Sequence, residues 1–212
     1  MTSPVEATLA YAEQFHHEDD ILHAARQRGL EMGAPPILPG GGAALCFLAT
    51  ALNAKSVVEI GTGCGVSGLW LLRGMRPDGT LTSVDVEPEH QRLARQAFAD
   101  AGFSGGRVRL ISGRALDVLP RLSDGGYDMV FADGAKQEYA DYLAEAVRLL
   151  RVGGIVAFDN ALWHNRVADP AQRDPDTVAL RELGKLAQSD DRLRSLLMPL
   201  GDGLLAAVKV AG

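Results

Sequence analysis

Residues 57–70 read VVEIGTGCGVSGLW: an apolar stretch carrying Glu59, then Gly61, Gly63 and Gly65 in quick succession, then a mostly apolar segment. Short β-branched runs make strands, and glycines just beyond them let the backbone take positive φ and let a ligand come close. A helix that opens behind such a turn points free N–H groups at polar or anionic ligands. Strand, glycine turn and helix in this order form the first half of a βαβ unit.

The same alternation continues downstream. SVVEI (56–60), TLTSVDV (80–86), RVRLI (107–111), YDMVFA (127–132) and GGIVAF (153–158) read as strands, with helices expected near 66–75, 88–102, 114–122 and 137–150. Right-handed crossovers between such units predict an α/β fold with a doubly wound, Rossmann-like, mostly parallel sheet. A long loop over 161–174 and a helix near 175–188 follow. LRSLLMPLGDGLLAAVKV (193–210) then holds two apolar runs joined across Gly201-Asp202-Gly203, which predicts an antiparallel C-terminal strand. Upstream, residues 3–31 read as helical with Gly29 and Gly33 as stops, GAPPILPGGG (33–42) as an irregular loop laid over a site, and Ala43–Asn53 as a helix. The expected organisation is one domain over 1–212, with 1–53 as a helical cap and covering loop and 54–212 as the core.

The chain has 212 residues, 47% of them hydrophobic, enough for one sizeable core. Its net charge of −6 argues against a broad nucleic-acid or anionic-membrane footprint. The longest apolar run, AALCFLATAL, is far short of the roughly 20 residues that span a bilayer, and no basic segment leads into an apolar stretch at the N-terminus. Cys46 and Cys64 are too few for a disulfide framework and lack metal-ligand spacing, which suits a reducing cytoplasm. His16, His17 and His23 read as surface residues of a polar helix, and Tyr139 and Tyr142 as packing residues.

In a doubly wound sheet, ligands bind beyond the carboxyl ends of the strands. Glu59 stands at the first strand end. The stretch from Gly63 to Gly68 fits the G-x-G-x-x-G pattern, a weak dinucleotide signal by itself. Asp85 ends the second strand, where a carboxylate accepts from ribose hydroxyls or caps the helix that follows; the capping role can belong to Glu87 instead, with Pro88 in the first helical position, which leaves the ribose contact as the better use of Asp85. At that point a nicotinamide oxidoreductase and an S-adenosylmethionine enzyme remain open. Asp133 ends a later strand with Lys136 three residues on, and Asp159-Asn160 end the next. Three oxygen ligands converging from adjacent strand ends suit a hard cation such as Mg²⁺, whereas zinc prefers His or Cys.

These motifs resemble the cation-dependent class I O-methyltransferases, the family that includes catechol and caffeoyl-CoA O-methyltransferases. The resemblance rests on VVEIGTGCGVSGLWL, LTSVDVEPEH, ISGRALDVLP, YDMVFADGAKQEYADY, GGIVAFDNALW and LGDGLLAAVKV, in order over 57–210 and more weakly back to Ile37. It implies that Glu59, Gly61, Thr62, Gly63 and Ser67 hold the methionine end of S-adenosylmethionine, Asp85 the ribose, Ala115 the adenine region, and Ile37 a further cofactor contact. It implies Asp133, Asp159 and Asn160 as ligands of a divalent cation, Mg²⁺ first with Mn²⁺ or Ca²⁺ as alternatives, and Lys136 as the base. Asp133, Lys136, Asn160, Trp163 and His164 would meet a small phenolic acceptor, with Trp163 as an aromatic wall. The family further implies a homodimer. Two positions depart from its pattern: Ala135 replaces a carboxylate that helps hold the methionine moiety, and His164 stands where an acceptor-contacting Asn is common. A cofactor-binding module that has lost its chemistry is a third reading, against which the retained Asp133, Lys136, Asp159 and Asn160 weigh.

Overall fold

The structure, a computed structural model, describes residues 4–103 and 105–212. Its strands are β1 (Ser56–Ile60), β2 (Thr80–Asp85), β3 (Val108–Ser112), β4 (Tyr127–Ala132), β5 (Leu150–Phe158), β6 (Leu193–Met198) and β7 (Leu204–Lys209). The helices are α1 (Pro4–Gln14), α2 (Asp20–Glu31), α3 (Pro39–Ala51), α4 (Val66–Gly74), α5 (Pro88–Asp100), α6 (Ala115–Val118), α7 (Tyr139–Leu149) and α8 (Pro175–Ser189). The strands form one sheet in the order β3-β2-β1-β4-β5-β7-β6, with only β7 running against the rest.

Alternation along each central strand sends side chains to two cores. Val58, Val130, Val156 and Phe158 pack under α7 and α8, while Val57, Met129, Phe131 and Ala157 pack under α2 to α5. The helices match their strands by spacing: α7 buries Tyr139, Tyr142, Leu143, Ala146 and Val147 along one stripe. Strand order reverses between β1 and β4. That is where an open α/β sheet leaves a crevice at its strand ends.

The expected strands all form, and three local readings are corrected. The helix read over 3–31 is two helices, because Asp19 breaks the run and caps α2 by accepting from the Leu22 N–H; Ser3, included in that reading, lies outside the described residues. Gly29 stops nothing. It lies inside α2 against Pro36, and Gly33, at φ +70°, ends the segment. The loop read over 33–42 gives way to helix at Pro39, so Gly40, Gly41 and Gly42 are helical and buried. Residues 114–122 split into α6 and a 3₁₀ turn over 119–121, and 3₁₀ turns likewise occupy 105–107 and 136–138. Among the described residues, no helix is long and apolar enough to cross a membrane.

Candidate active site

Register sets the site. Ile60 pairs with Val84 and Ala132, and Ala132 with Phe158, so the next residues on these strands, Gly61, Asp85, Asp133 and Asp159, meet at one level. Hydrogen bonds from Asp133 N to Ile60 O and from Asp159 N to Ala132 O continue the ladder one step beyond the strands. A cavity of about 1000 Å³ opens there. Its wall contains Ile37, Gly61, Thr62, Gly63, Ser67, Asp85, Ala115, Asp133, Lys136, Asp159, Asn160, Trp163 and His164, twelve of them contributed from the strand ends onward and Ile37 from the covering segment.

At one end lies the glycine turn. Gly61 has φ +91°, and a β-carbon there would run into the Asp133 carbonyl oxygen, so glycine alone allows the two strand ends to touch. The Gly63 N–H donates to Asp85 Oδ2 at 2.9 Å and the Glu87 N–H to Oδ1 at 2.9 Å, which leaves the carboxylate fixed with further lone pairs toward the cavity. Glu87 is the N-cap of α5 with Pro88 in the first position. Glu59 is placed differently from the expectation. It is absent from the cavity wall and fully buried behind it, accepting from Ser67 Oγ at 2.7 Å and Ser83 Oγ at 2.5 Å. Thr62 Oγ1 lies 2.7 Å from Ser83 Oγ, so Glu59 anchors the turn through three hydroxyls. Burial pushes its carboxyl up to about 7 against the lowering effect of the two serines.

At the other end, Lys136 Nζ donates to Asp133 Oδ1 and to Tyr139 Oη, both at 2.8 Å. Tyr139 is buried as expected of a packing residue, but its hydroxyl also lies 3.2 Å from the Asp159 carbonyl oxygen. Composition alone hid that second use. Lys136 Nζ lies 5.7 Å from the centroid of the Trp163 ring. The Asp159 carboxyl is pushed up to about 7, first by burial and then by the neighbouring Asp133 charge. Among the described residues, no three His, Cys, Asp or Glu side chains gather closely enough to hold a metal ion by themselves. The candidate set is two carboxylates and the Asn160 carboxamide.

The sequence model of the O-methyltransferase family matches residues 20–210. The chain belongs to the O-methyltransferase family. A relative from Mycobacterium tuberculosis, named a probable O-methyltransferase, is 53% identical over 204 residues, covering 96% of this chain and 91% of the relative. The solved O-methyltransferase TomG of Streptomyces achromogenes, involved in tomaymycin synthesis and in complex with S-adenosylmethionine, is 29% identical with a TM-score of 0.87 over 100% of both chains. A Bacillus cereus O-methyltransferase in complex with S-adenosylhomocysteine is 26% identical with a TM-score of 0.85, covering 96% of this chain and 97% of that one. Methyl transfer to oxygen is therefore the activity class of this enzyme. None of these relatives supports a nicotinamide oxidoreductase.

In this methyltransferase the loop after β5 is held by a residue not singled out in the sequence. Asp202, in the turn between β6 and β7, accepts from the His164 N–H at 2.5 Å and from Asn160 Nδ2 at 3.4 Å, and its carbonyl oxygen accepts from the Leu162 N–H at 2.9 Å. The only available signal was its place between two glycines in the Gly201-Asp202-Gly203 turn. His164 is exposed, stacks on Trp163 at 5.3 Å and faces Asp202. Asn160, Trp163, His164 and Asn165 all have positive φ, rare for such residues and common where a site stores strain. Among the described residues, the buried Trp163 Nε1 finds no hydrogen-bond partner. Burial pushes both the Cys46 and Cys64 thiols up, so neither is activated.

Proposed function

We propose that this O-methyltransferase moves the methyl group of S-adenosylmethionine to a hydroxyl of a small catechol-like acceptor, with a divalent cation, Mg²⁺ first, helping to hold that acceptor. The observation that carries the reading is the convergence of Asp133, Lys136, Asp159 and Asn160 at one end of a cavity whose other end is the glycine turn with Asp85. The donor is supported by relatives solved with S-adenosylmethionine and S-adenosylhomocysteine. Asp85 takes the ribose hydroxyls, Gly61, Thr62, Gly63 and Ser67 the methionine portion, Ala115 the adenine side, and Ile37 a further cofactor contact from the covering segment. Glu59 works from behind, by fixing Ser67 and Ser83.

The donor set fits a hard cation. Asp133, Asp159 and Asn160 offer oxygen only, and the raised Asp159 carboxyl marks a site whose negative charge Lys136 only partly offsets. Asp133, Asp159 and Asn160 would hold such a cation, which when bound would lower the pKa of an acceptor hydroxyl and give a vicinal pair of oxygens a fixed point. Lys136 Nζ, held by Asp133 and Tyr139, would take the hydroxyl proton when in its neutral amine form, becoming the ammonium that pairs with Asp133. Trp163, in the cavity wall beside Lys136, bounds the acceptor ring.

Asp159→Ala is expected to lower turnover of a catechol panel at least 100-fold, on the order of 3 kcal/mol of transition-state stabilisation, while S-adenosylhomocysteine affinity by calorimetry changes little. Full turnover of that variant in chelator-treated buffer would remove the cation from the reading. Failure of the wild type to bind S-adenosylhomocysteine would remove the donor. The reading includes a cytosolic homodimer: the free cysteines suit a reducing compartment, and the exposed Val5, Tyr11, Phe15 and Phe47 on and beside α1 suit burial against a second copy.

A further inference from the structure

Glu13, on α1, reaches two backbone N–H groups from distant parts of the chain. Oε2 accepts from Gly40 N at 2.8 Å in the first turn of α3, and Oε1 from Gly201 N at 2.6 Å in the turn between β6 and β7. One oxygen per donor is the best use a carboxylate has for two separated amides. A side chain at Gly40 would strike the Glu13 carboxylate, so the two positions are matched. α1 contains no buried residue, so this carboxylate ties to the body of the protein a helix that has little apolar packing of its own. One turn before Glu13, Leu9 lies on the same helix face and lines the cavity. Gly201 backs onto Leu38, another wall residue, and the residue after it, Asp202, holds Asn160 Nδ2 and the His164 N–H.

We propose that Glu13 is a positioning residue that latches α1 across the acceptor end of the cleft, so that Leu9 and the Gly201–Asp202 turn make one acceptor-recognising wall. The inference rests on the assignment of that end to the acceptor. Glu13 touches neither the glycine turn nor Asp85 nor Lys136; its Gly40 anchor follows the covering segment and its Gly201 anchor adjoins Asp202, and the second of these puts its main effect on how the acceptor is bound and selected. Leu9 caps the space by shape, and the carboxylate decides whether the cap stays closed.

The test compares wild type, Glu13→Ala, Glu13→Gln and Leu9→Ala, using catechol as acceptor. Glu13→Ala is expected to raise the acceptor KM about tenfold while kcat and S-adenosylhomocysteine affinity stay within about twofold. Amide hydrogen exchange at Gly40 and Gly201 is expected to quicken at least tenfold in that variant. Glu13→Gln falls between, since a carboxamide has one oxygen for two donors. Leu9→Ala raises KM without changing exchange at either glycine. Unchanged exchange in Glu13→Ala overturns the latch, as does faster exchange with an unchanged KM. A joint fall in kcat, S-adenosylhomocysteine affinity and melting temperature overturns it too, by marking Glu13 as a stability residue only. If the wild type turns over no acceptor, the acceptor reading fails, and the exchange measurement still decides whether the latch exists.

Discussion

Glu59 and Asp159 are both buried carboxyls near strand ends, yet their neighbours give them different work. Two serine hydroxyls donate to Glu59, whereas Asp159 faces the like charges of Asp133 and Asp202 across from Lys136. The Glu59 carboxyl is raised from about 4.5 to about 7, so its contribution to stability is fully present below pH 4.5 and is lost as pH rises through 7. Glu59→Gln is expected to flatten that loss: urea unfolding at pH 5 and pH 8 should show a smaller drop for the variant than for the wild type. An identical drop in both proteins would show that Glu59 does not titrate in this range. At this scale, the place of Asp85, Asp133, Asp159 and Asn160 at the cavity was legible in the sequence because a polar residue that interrupts an apolar run marks a strand end, and Lys136 followed from its spacing to Asp133. Glu59 was legible as a site residue but not as a buried one, since its two serine partners lie at different distances along the chain. Asp202 and the second role of Tyr139 were not legible, because each depends on a neighbour brought close only by sheet register.

Among the elements, the loop after β5 and the strand β7 carry opposite lessons. Four left-handed residues between 160 and 165, with the Trp163 Nε1 buried and unpartnered, hold that loop in a costly shape. Trp163→Phe removes the unpaired donor and keeps an aromatic face. Its expected effect is a gain of about 1 kcal/mol in unfolding free energy by urea titration, and a loss would show that the indole nitrogen has a partner in solution. Lys209 on β7 is the reverse case. It is buried, and its ammonium donates to the Val147 and Leu150 carbonyl oxygens at 2.9 and 3.0 Å, closing the end of α7 onto the start of β5. Lys209→Met is expected to cost about 3 kcal/mol, read as a lower melting temperature with KM values unchanged. The core elements were predictable from period alone. The start of α3 was not: three glycines read as a loop, but Pro39 opens a helix there, and Gly41 and Gly42 are small because Ile37 and Trp70 leave no room for a side chain.

For the whole molecule, the mostly parallel sheet and its two covering layers bring the strand-end residues of the cavity to one edge, and Leu9 of α1 with the segment 34–38 borders the cavity there. The exposed aromatic residues of α1 and α3 predict a dimer. Sedimentation of the wild type is expected to give twice the chain mass of 22.5 kDa, and Phe15→Glu with Phe47→Glu to return the single-chain value. A single-chain mass for the wild type would leave those side chains without that explanation.

The tie between Glu13 and Gly201 spans 188 positions of sequence. In a chain that folds as it leaves the ribosome, Glu13 could not meet Gly201 before the β6–β7 hairpin is made. The half of the cleft that would receive the methyl donor would then stand before the half that would choose what is methylated, and selectivity would be the last property acquired.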